Sequence, residues 1–398
     1  MEADTTLTAD QPINPKSKRR WNKYIVGTLI LFALVFAISC SWFAVKMQQA
    51  KRQKEAAEEL VKLGCKVAYD YEYEWDSYSM HVQGRRPPSP EWLRNLLGTD
   101  FFSNVTAVGD TDKSITDDAL IHLKSLTQLQ CLNLINTEFT DAGLEHLKGL
   151  TQLQVLNLCI SSITDYGLET IKGMTQLREL RLWDSPISDI GLEKIKGLTQ
   201  LQTLDLRGTK ITDAGLVHLK GMTHLQTLNL WKTQVSDAGL VHIKVLEQLQ
   251  CLNISDTEIT DAGLAHLKGL TKLQMLILGG PKITDVGLEN VKGLTQLYEL
   301  SLGGPKITDA GLENIKGLTQ LQMLSLGGTG ITNAGLEHLK GLTQLKILSL
   351  SSTEVSDAGI EHLKGLNKLQ MLLLSNTKVT DAGVKNLKEA LPSLDIYN

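Results

Sequence analysis

The chain is poor in the features that mark a chemical site. Its five cysteines, Cys40, Cys65, Cys131, Cys159 and Cys251, are odd in number and show neither a CxxC pair nor tight metal-ligand spacing. That gives no basis for a disulfide framework. Charge of one sign is also lacking. Forty Lys and Arg against 44 Asp and Glu leave a net charge of −4, so there is no electrostatic case for nucleic acid as a partner. No nucleophile–base set, metal cluster or phosphate loop stands out, and the pairs Gly279–Gly280 and Gly303–Gly304 are too short a signal for a nucleotide loop. The reading is a non-enzyme with no cofactor and no metal.

What is present is a period. The segment Leu201–His224, LQTLDLRGTKITDAGLVHLKGMTH, is one copy of a 24-residue unit. The first residue of its ITDAGL core recurs at Ile115, Phe139, Ile163, Ile187, Ile211, Val235, Ile259, Ile283, Ile307, Ile331, Val355 and Val379, without insertion or deletion. Length alone would suggest two or three domains, but a fixed period of this size implies one elongated stack of repeats. We place that array at residues 105–398, as about 12 repeats.

Four segments precede it. Residues 1–23 form a polar piece ending in Lys16, Lys18, Arg19, Arg20 and Lys23. Residues 24–45 run without a charge from Tyr24 to Val45, enough for a transmembrane helix. Four basic residues follow (Lys46, Lys51, Arg52, Lys54) against five before, so the positive-inside bias puts the N-terminus in the cytoplasm and the repeats outside. Two rival readings exist: lipoprotein-type processing at Cys40 within AISC, and an ordinary cleaved signal. Residues 46–64 read as a solvated juxtamembrane helix closing at Gly64, with no clean apolar seam for a coiled coil. Residues 65–104 read as a cap on the first repeat. Val67, Tyr69, Tyr71, Tyr73 and Trp75 alternate as in a strand, and could otherwise form a sugar-stacking face. Ser89 and Pro90 open a short helix.

Within the unit, Leu204 and Leu206 alternate with Thr203, Asp205 and Arg207, the pattern of a strand buried on one side. A short helix follows, with Leu216 and Leu219 turned inward and Gly221 expected to close it in the left-handed conformation. The position of Thr212 is always Thr or Ser. That of Asp213 is Asp in eleven copies and Asn in one, Asn333. Carboxylates gathered for catalysis would not tolerate an amide, whereas Asn caps a helix as well as Asp does, so this acidic ladder is expected to cap helices. The recurring histidines (His122, His146, His218, His242, His266, His338, His362) lie on helices about 8–10 Å apart, poorly placed to share a metal.

The pattern LxxLxLxxTxITDAGLxHLKGL resembles the leucine-rich repeat superfamily, nearest its ribonuclease-inhibitor-like or cysteine-containing (F-box-associated) subtype, with Thr or Ser where that subtype has Asn or Cys. The anchor, the spacer and PPSPEWLRNLL resemble bacterial single-span membrane-anchored leucine-rich repeat proteins. No F-box-like segment is present, so a ubiquitin-adaptor role does not carry over. The resemblance implies an α/β solenoid, with a curved parallel sheet on the concave face, helices outside and a protein partner on the concave face. Among the concave positions, Glu179, Arg181, Trp183, Asp205, Arg207 and Trp231 stand out. Two tryptophans two strands apart flank Arg207, and Trp and Arg are enriched at binding hot spots. The expected function is a membrane-anchored interaction scaffold or receptor of the cell envelope. The alternative is a cell-wall or glycan binder.

Overall fold

The computed structural model describes residues 15–75, 80–82, 85–109 and 115–398, so Asp110 and Lys113 of the first repeat, and the side chains of residues 1–23 with their basic cluster, lie outside the described residues. The first described element is helix α1 (Pro15–Lys62), 48 residues long. From Tyr24 to Val45 every side chain is exposed, Phe32 at 77%. This stretch is long and apolar enough to cross a membrane.

The expected spacer is not a separate solvated helix. It is the C-terminal third of α1, and its Ala50, Gln53, Ala56, Ala57 and Leu60 are buried. Ala56, Ala57 and Leu60 share one core with Leu120 and Leu123 of the first repeat. Its polar anchor is Gln53, whose Nε2 donates to Asp100 Oδ1 (2.9 Å) and the Ser103 carbonyl (3.0 Å), while its Oε1 accepts from Val105 N–H (3.1 Å). Further up, the Phe101 ring packs on Phe43 and Trp42 at centroid distances of 5.3 and 6.4 Å. These apolar positions show no coiled-coil seam because they pack into the core of the cap and first repeat.

The aromatic file is broken too. Strand β1 (Lys66–Tyr69) and strand β2 (Tyr73–Trp75) are separated by a turn in which Glu72 N–H donates to the Tyr69 carbonyl. β2 pairs with β3 (Met80–Val82), and β1 joins the main sheet. The side chains of Tyr73 and Trp75 lie outside the described residues. Tyr69 and Tyr71 stack at 6.0 Å, with the Tyr69 hydroxyl donating to Asp100. A short helix α2 (Glu91–Leu97) follows Pro90 and leaves Trp92 and Leu96 exposed.

The main sheet has 14 strands. β1 lies antiparallel on β4 (Val105–Gly109) and covers that edge. From β4 on, all pairings are parallel: β5 (Cys131–Asn133), β6 (Val155–Asn157), β7 (Glu179–Arg181), β8 (Thr203–Asp205), β9 (Thr227–Asn229), β10 (Cys251–Asn253), β11 (Met275–Gly279), β12 (Glu299–Gly303), β13 (Met323–Ser325), β14 (Ile347–Ser349), β15 (Met371–Leu373) and β16 (Asp395–Tyr397). Partners are offset by one repeat, as in Leu204↔Leu228. Leu201, Leu204, Leu206, Ile211, Leu216, Leu219 and Met222 are all at 0% exposure. A single copy could not enclose such a face; it is closed only by the copies on either side.

Two local expectations change. Gly221 is not left-handed. The helix Asp213–Leu216 tightens into a 3-10 turn over Val217–Gly221, and Met222 closes it by donating to the Leu219 carbonyl. The left-handed residue falls instead just after the strand, at Gly208 (φ 68°) and its equivalents Asn136, Ile160, Asp184, Lys232, Asp256, Gly328, Ser352 and Asn376.

The acidic ladder is structural, but it does not cap its own helices. The cap is Thr212, whose Oγ1 accepts from Ala214 N–H. Asp213 reaches into the next repeat, where Oδ1 accepts Ser236 N–H (2.7 Å) and Oδ2 accepts the Ser236 hydroxyl (2.5 Å). The same two bonds join Asp189 to Thr212, Asp237 to Thr260 and Asp261 to Thr284. Asn333 keeps both contacts with Ser356, its amide nitrogen donating to the hydroxyl at 2.9 Å. The glycine of each DAGL lies beneath this carboxylate: a Cβ on Gly239 would stand 2.5 Å from Asp213 Oδ1.

Candidate interaction face

Strand alternation sends residues 179, 181 and 183, 203, 205 and 207, and 227, 229 and 231 to the sheet face opposite the core. Adjacent strands put these sets about 4.8 Å apart, with Arg181 beside Asp205 and Asp205 beside Asn229. Six residues picked out from the sequence therefore do share one face, but they do not share one role.

Arg181 and Asp205 are not exposed recognition groups: they retain only 5% and 7% of their surface. Arg181 forms an ion pair with Glu179. Arg207 Nε lies 3.4 Å from Asp205 Oδ2, and Arg207 N–H donates to Asp205 Oδ1 at 3.3 Å. The latter bond explains why an acid stands there. In the neighbouring strands Asn133, Asn157, Asn229 and Asn253 each accept from the backbone N–H two residues on, so Asp205 takes a place in a row of asparagines that fixes the strand ends. Burial raises the carboxyl of Asp205 above its ordinary value against the opposing pull of Arg207, and burial does the same to Glu179 against Arg181.

The solvent-facing layer is made by the larger groups. The Arg207 guanidinium carbon sits 4.6 Å from the Trp183 ring centroid, a cation–π stack. Arg207 stacks on this one ring; Trp231 instead donates its indole Nε1–H to Asp256 Oδ2 at 2.8 Å and remains 37% exposed.

Further along, the face changes character. β11 and β12 are two residues longer than their neighbours, and Pro281 and Pro305 stand where every other copy but the first carries Ser or Thr. The turn residues Gly280 and Gly304 have φ of 153° and 122°, and a Cβ on Gly304 would come 2.6 Å from the Gly280 carbonyl oxygen, so backbone packs on backbone there. Beside them is a depression of about 270 Å³ lined by residues of β11 to β15. It contains Glu299, a half-buried carboxylate with no ion-pair or hydrogen-bond partner among the described residues, whose cross-strand neighbours are Met275 and Met323. Burial raises its pKa. Sequence reasoning passed over Glu299 because it weighed the tryptophans, arginines and acids gathered at 179–231 and read the later copies as Gly, Ser and Met. The available signal was a lone acid in a run of Met, Ile, Ser and Gly. Among the described residues no group of three or more His, Cys, Asp or Glu could hold a metal ion.

The family described as leucine-rich repeat region matches residues 142–282, and a second leucine-rich repeat family matches residues 319–379. No curated protein matches the chain. Among solved structures, the chain is similar to an internalin, inlF, of Listeria monocytogenes, at 28% identity over 74% of this chain and 86% of that one, with a TM-score of 0.56. It also matches internalin C2 of the same organism (29% identity, 53% and 83% covered, TM-score 0.41) and a leucine-rich repeat protein of Leptospira interrogans (18% identity, 70% and 80% covered, TM-score 0.45). The fold is a leucine-rich repeat solenoid.

Proposed function

We propose that the chain is a membrane-anchored leucine-rich repeat protein whose open sheet face receives a protein partner. The observation that carries this is the sheet itself. Twelve consecutive parallel strands after β4 present one uninterrupted face, which no helix covers among the described residues, on a fold that leucine-rich repeat proteins use for protein contacts. Fold alone does not fix function, so the contact residues are argued from the surface. Trp183, Arg207 and Trp231 supply the outward layer, while Glu179, Arg181 and Asp205 hold that layer from beneath. The anchor is Tyr24–Val45, with residues 1–23 on the cytoplasmic side and the repeats outside. The contact of Trp42 and Phe43 with Phe101 would then hold the cap close to the bilayer surface.

The test is a pull-down from envelope extract with the full chain in detergent, beside a Trp183→Ala, Trp231→Ala double variant. A protein captured by the wild type and lost with the variant supports both the function and its location. Capture by both moves the contact elsewhere on the array. Retention of wall polysaccharide without protein replaces the proposal with the glycan reading.

A further inference from the structure

The geometry points to a second contact site on the same face: the depression over β11–β15 takes an extended segment of a partner protein that places an arginine or lysine against Glu299. This rests on the reading that the open face receives protein, but not on the tryptophan layer.

The argument begins with what the two halves of the face leave unsatisfied. Around β7–β9 the charged groups are already matched, Glu179 by Arg181 and Asp205 by Arg207. Glu299 presents a half-buried carboxylate that no described residue neutralises, in a setting that disfavours its ionised form. A partly desolvated carboxylate without a counter-charge is complementary to a cation, and the bond gains strength from the low polarity around it.

The surroundings select the kind of cation. A metal ion would need further oxygen ligands, and Glu299 belongs to no such group among the described residues. The walls are Ile277, Met323 and Ile347, all half-buried. They suit the aliphatic stem of a lysine or arginine, which buries its methylenes while its head group seeks a charge. Beside them lie the hydroxyls of Ser301 and Ser325, on paired positions of adjacent strands and without hydrogen-bond partners among the described residues. Where the Asn row spends its side chains on the backbone, these serines keep theirs available for the amides of an incoming chain. An apolar floor, free hydroxyls and one carboxylate together describe a site for a peptide backbone with a single basic side chain.

The experiment uses the full-length chain in detergent micelles, applied to an immobilised array of capped pentapeptides. Each has arginine, lysine, glutamine or glutamate at its centre and flanks drawn from leucine, valine, serine and glycine. Arginine- and lysine-centred peptides should be retained roughly tenfold better than their glutamine counterparts, the size of one charge-assisted hydrogen bond. Glu299→Gln should erase that preference without lowering the thermal unfolding midpoint, since the Glu299 carboxylate has no partner among the described residues to lose and its burial disfavours the charge. Ser325→Trp should fill the depression and abolish retention, and Trp183→Ala should leave it intact. Equal retention of arginine and glutamine peptides, a preference that survives Glu299→Gln, or displacement by wall oligosaccharide in place of peptide would each overturn the proposal. Partner capture in the pull-down would stand independently of these results.

Discussion

Replacing Gly239 by alanine pits two effects against each other. Gly239 lies inside the helix Asp237–Ile243 and has ordinary helical geometry, so propensity alone predicts that alanine stabilises by about 1 kcal/mol. The new methyl would stand 2.5 Å from Asp213 Oδ1 and 3.0 Å from a Val235 methyl. The Asp213 carboxylate must then leave Ser236, giving up the bonds at 2.7 and 2.5 Å. Two hydrogen bonds to an ionised acceptor, taken at about 1.5 kcal/mol each because Asp213 is half-exposed, outweigh the helix gain and leave a net loss of about 2 kcal/mol. The assay is denaturant unfolding of the full chain in detergent, followed by circular dichroism, as a cycle with Asp213→Ala. Asp213→Ala alone should lose about 3 kcal/mol by the same bonds. In its background Gly239→Ala should lose little or nothing, because the carboxylate is gone. Asp213→Asn should stay within about 1 kcal/mol of wild type, as Asn333 keeps both contacts. A neutral or stabilising Gly239→Ala in the wild-type chain, or an equal loss with and without Asp213, would refute the account.

Other expectations follow from the face and the turns. Arg181→Met strands the Glu179 carboxylate and should destabilise by about 3 kcal/mol at pH 7. Burial has already raised the folded pKa of Glu179, so the penalty belongs to the ionised form; unfolding at pH 7 and pH 5 should show the deficit shrinking as pH falls. Ile160 holds φ at 51°, a left-handed conformation that a β-branched side chain adopts at a penalty, so Ile160→Asn should raise stability by about 1 kcal/mol in the same unfolding assay. The Thr380 N–H and hydroxyl hold Asp357 below the usual carboxylate range; its contribution is present above the ordinary aspartate pKa and lost as pH falls through the lower folded value. Asp357→Asn should flatten that acid limb, measured as the unfolding midpoint between pH 5 and pH 2.

The parts of the fold legible in the sequence are those carried by local periodicity. Leu204 and Leu206 mark a strand, Leu216 and Leu219 a helix, and both pairs are fully buried. What escaped depends on contacts that periodicity does not carry. Asp213 looks like a cap because its helix is adjacent in sequence, yet the groups it binds belong to Ser236. Gly221 looks like a helix terminator, but a 3-10 turn already satisfies the carbonyls there and the sharp reversal falls at Gly208. On the open face, residue type located the cluster at 179–231 but not its depth. Arg181 and Asp205 became buried through each other's neighbours, and neither composition nor alternation encodes that.

The continuity of α1 gives the array a fixed phase. Because Gln53 clamps the helix to Asp100, Ser103 and Val105, nothing between Val45 and the first strand can swivel independently. Each residue of helix advances about 100° around its axis and 1.5 Å along it. One alanine inserted between Val45 and Gln53 would therefore turn the whole open face by about 100° relative to the apolar stretch while lifting it by only about 1.5 Å. A four-residue insertion would nearly restore the heading and raise the array by about 6 Å. The heading of the open face is thus written in the length of α1 between Val45 and Gln53.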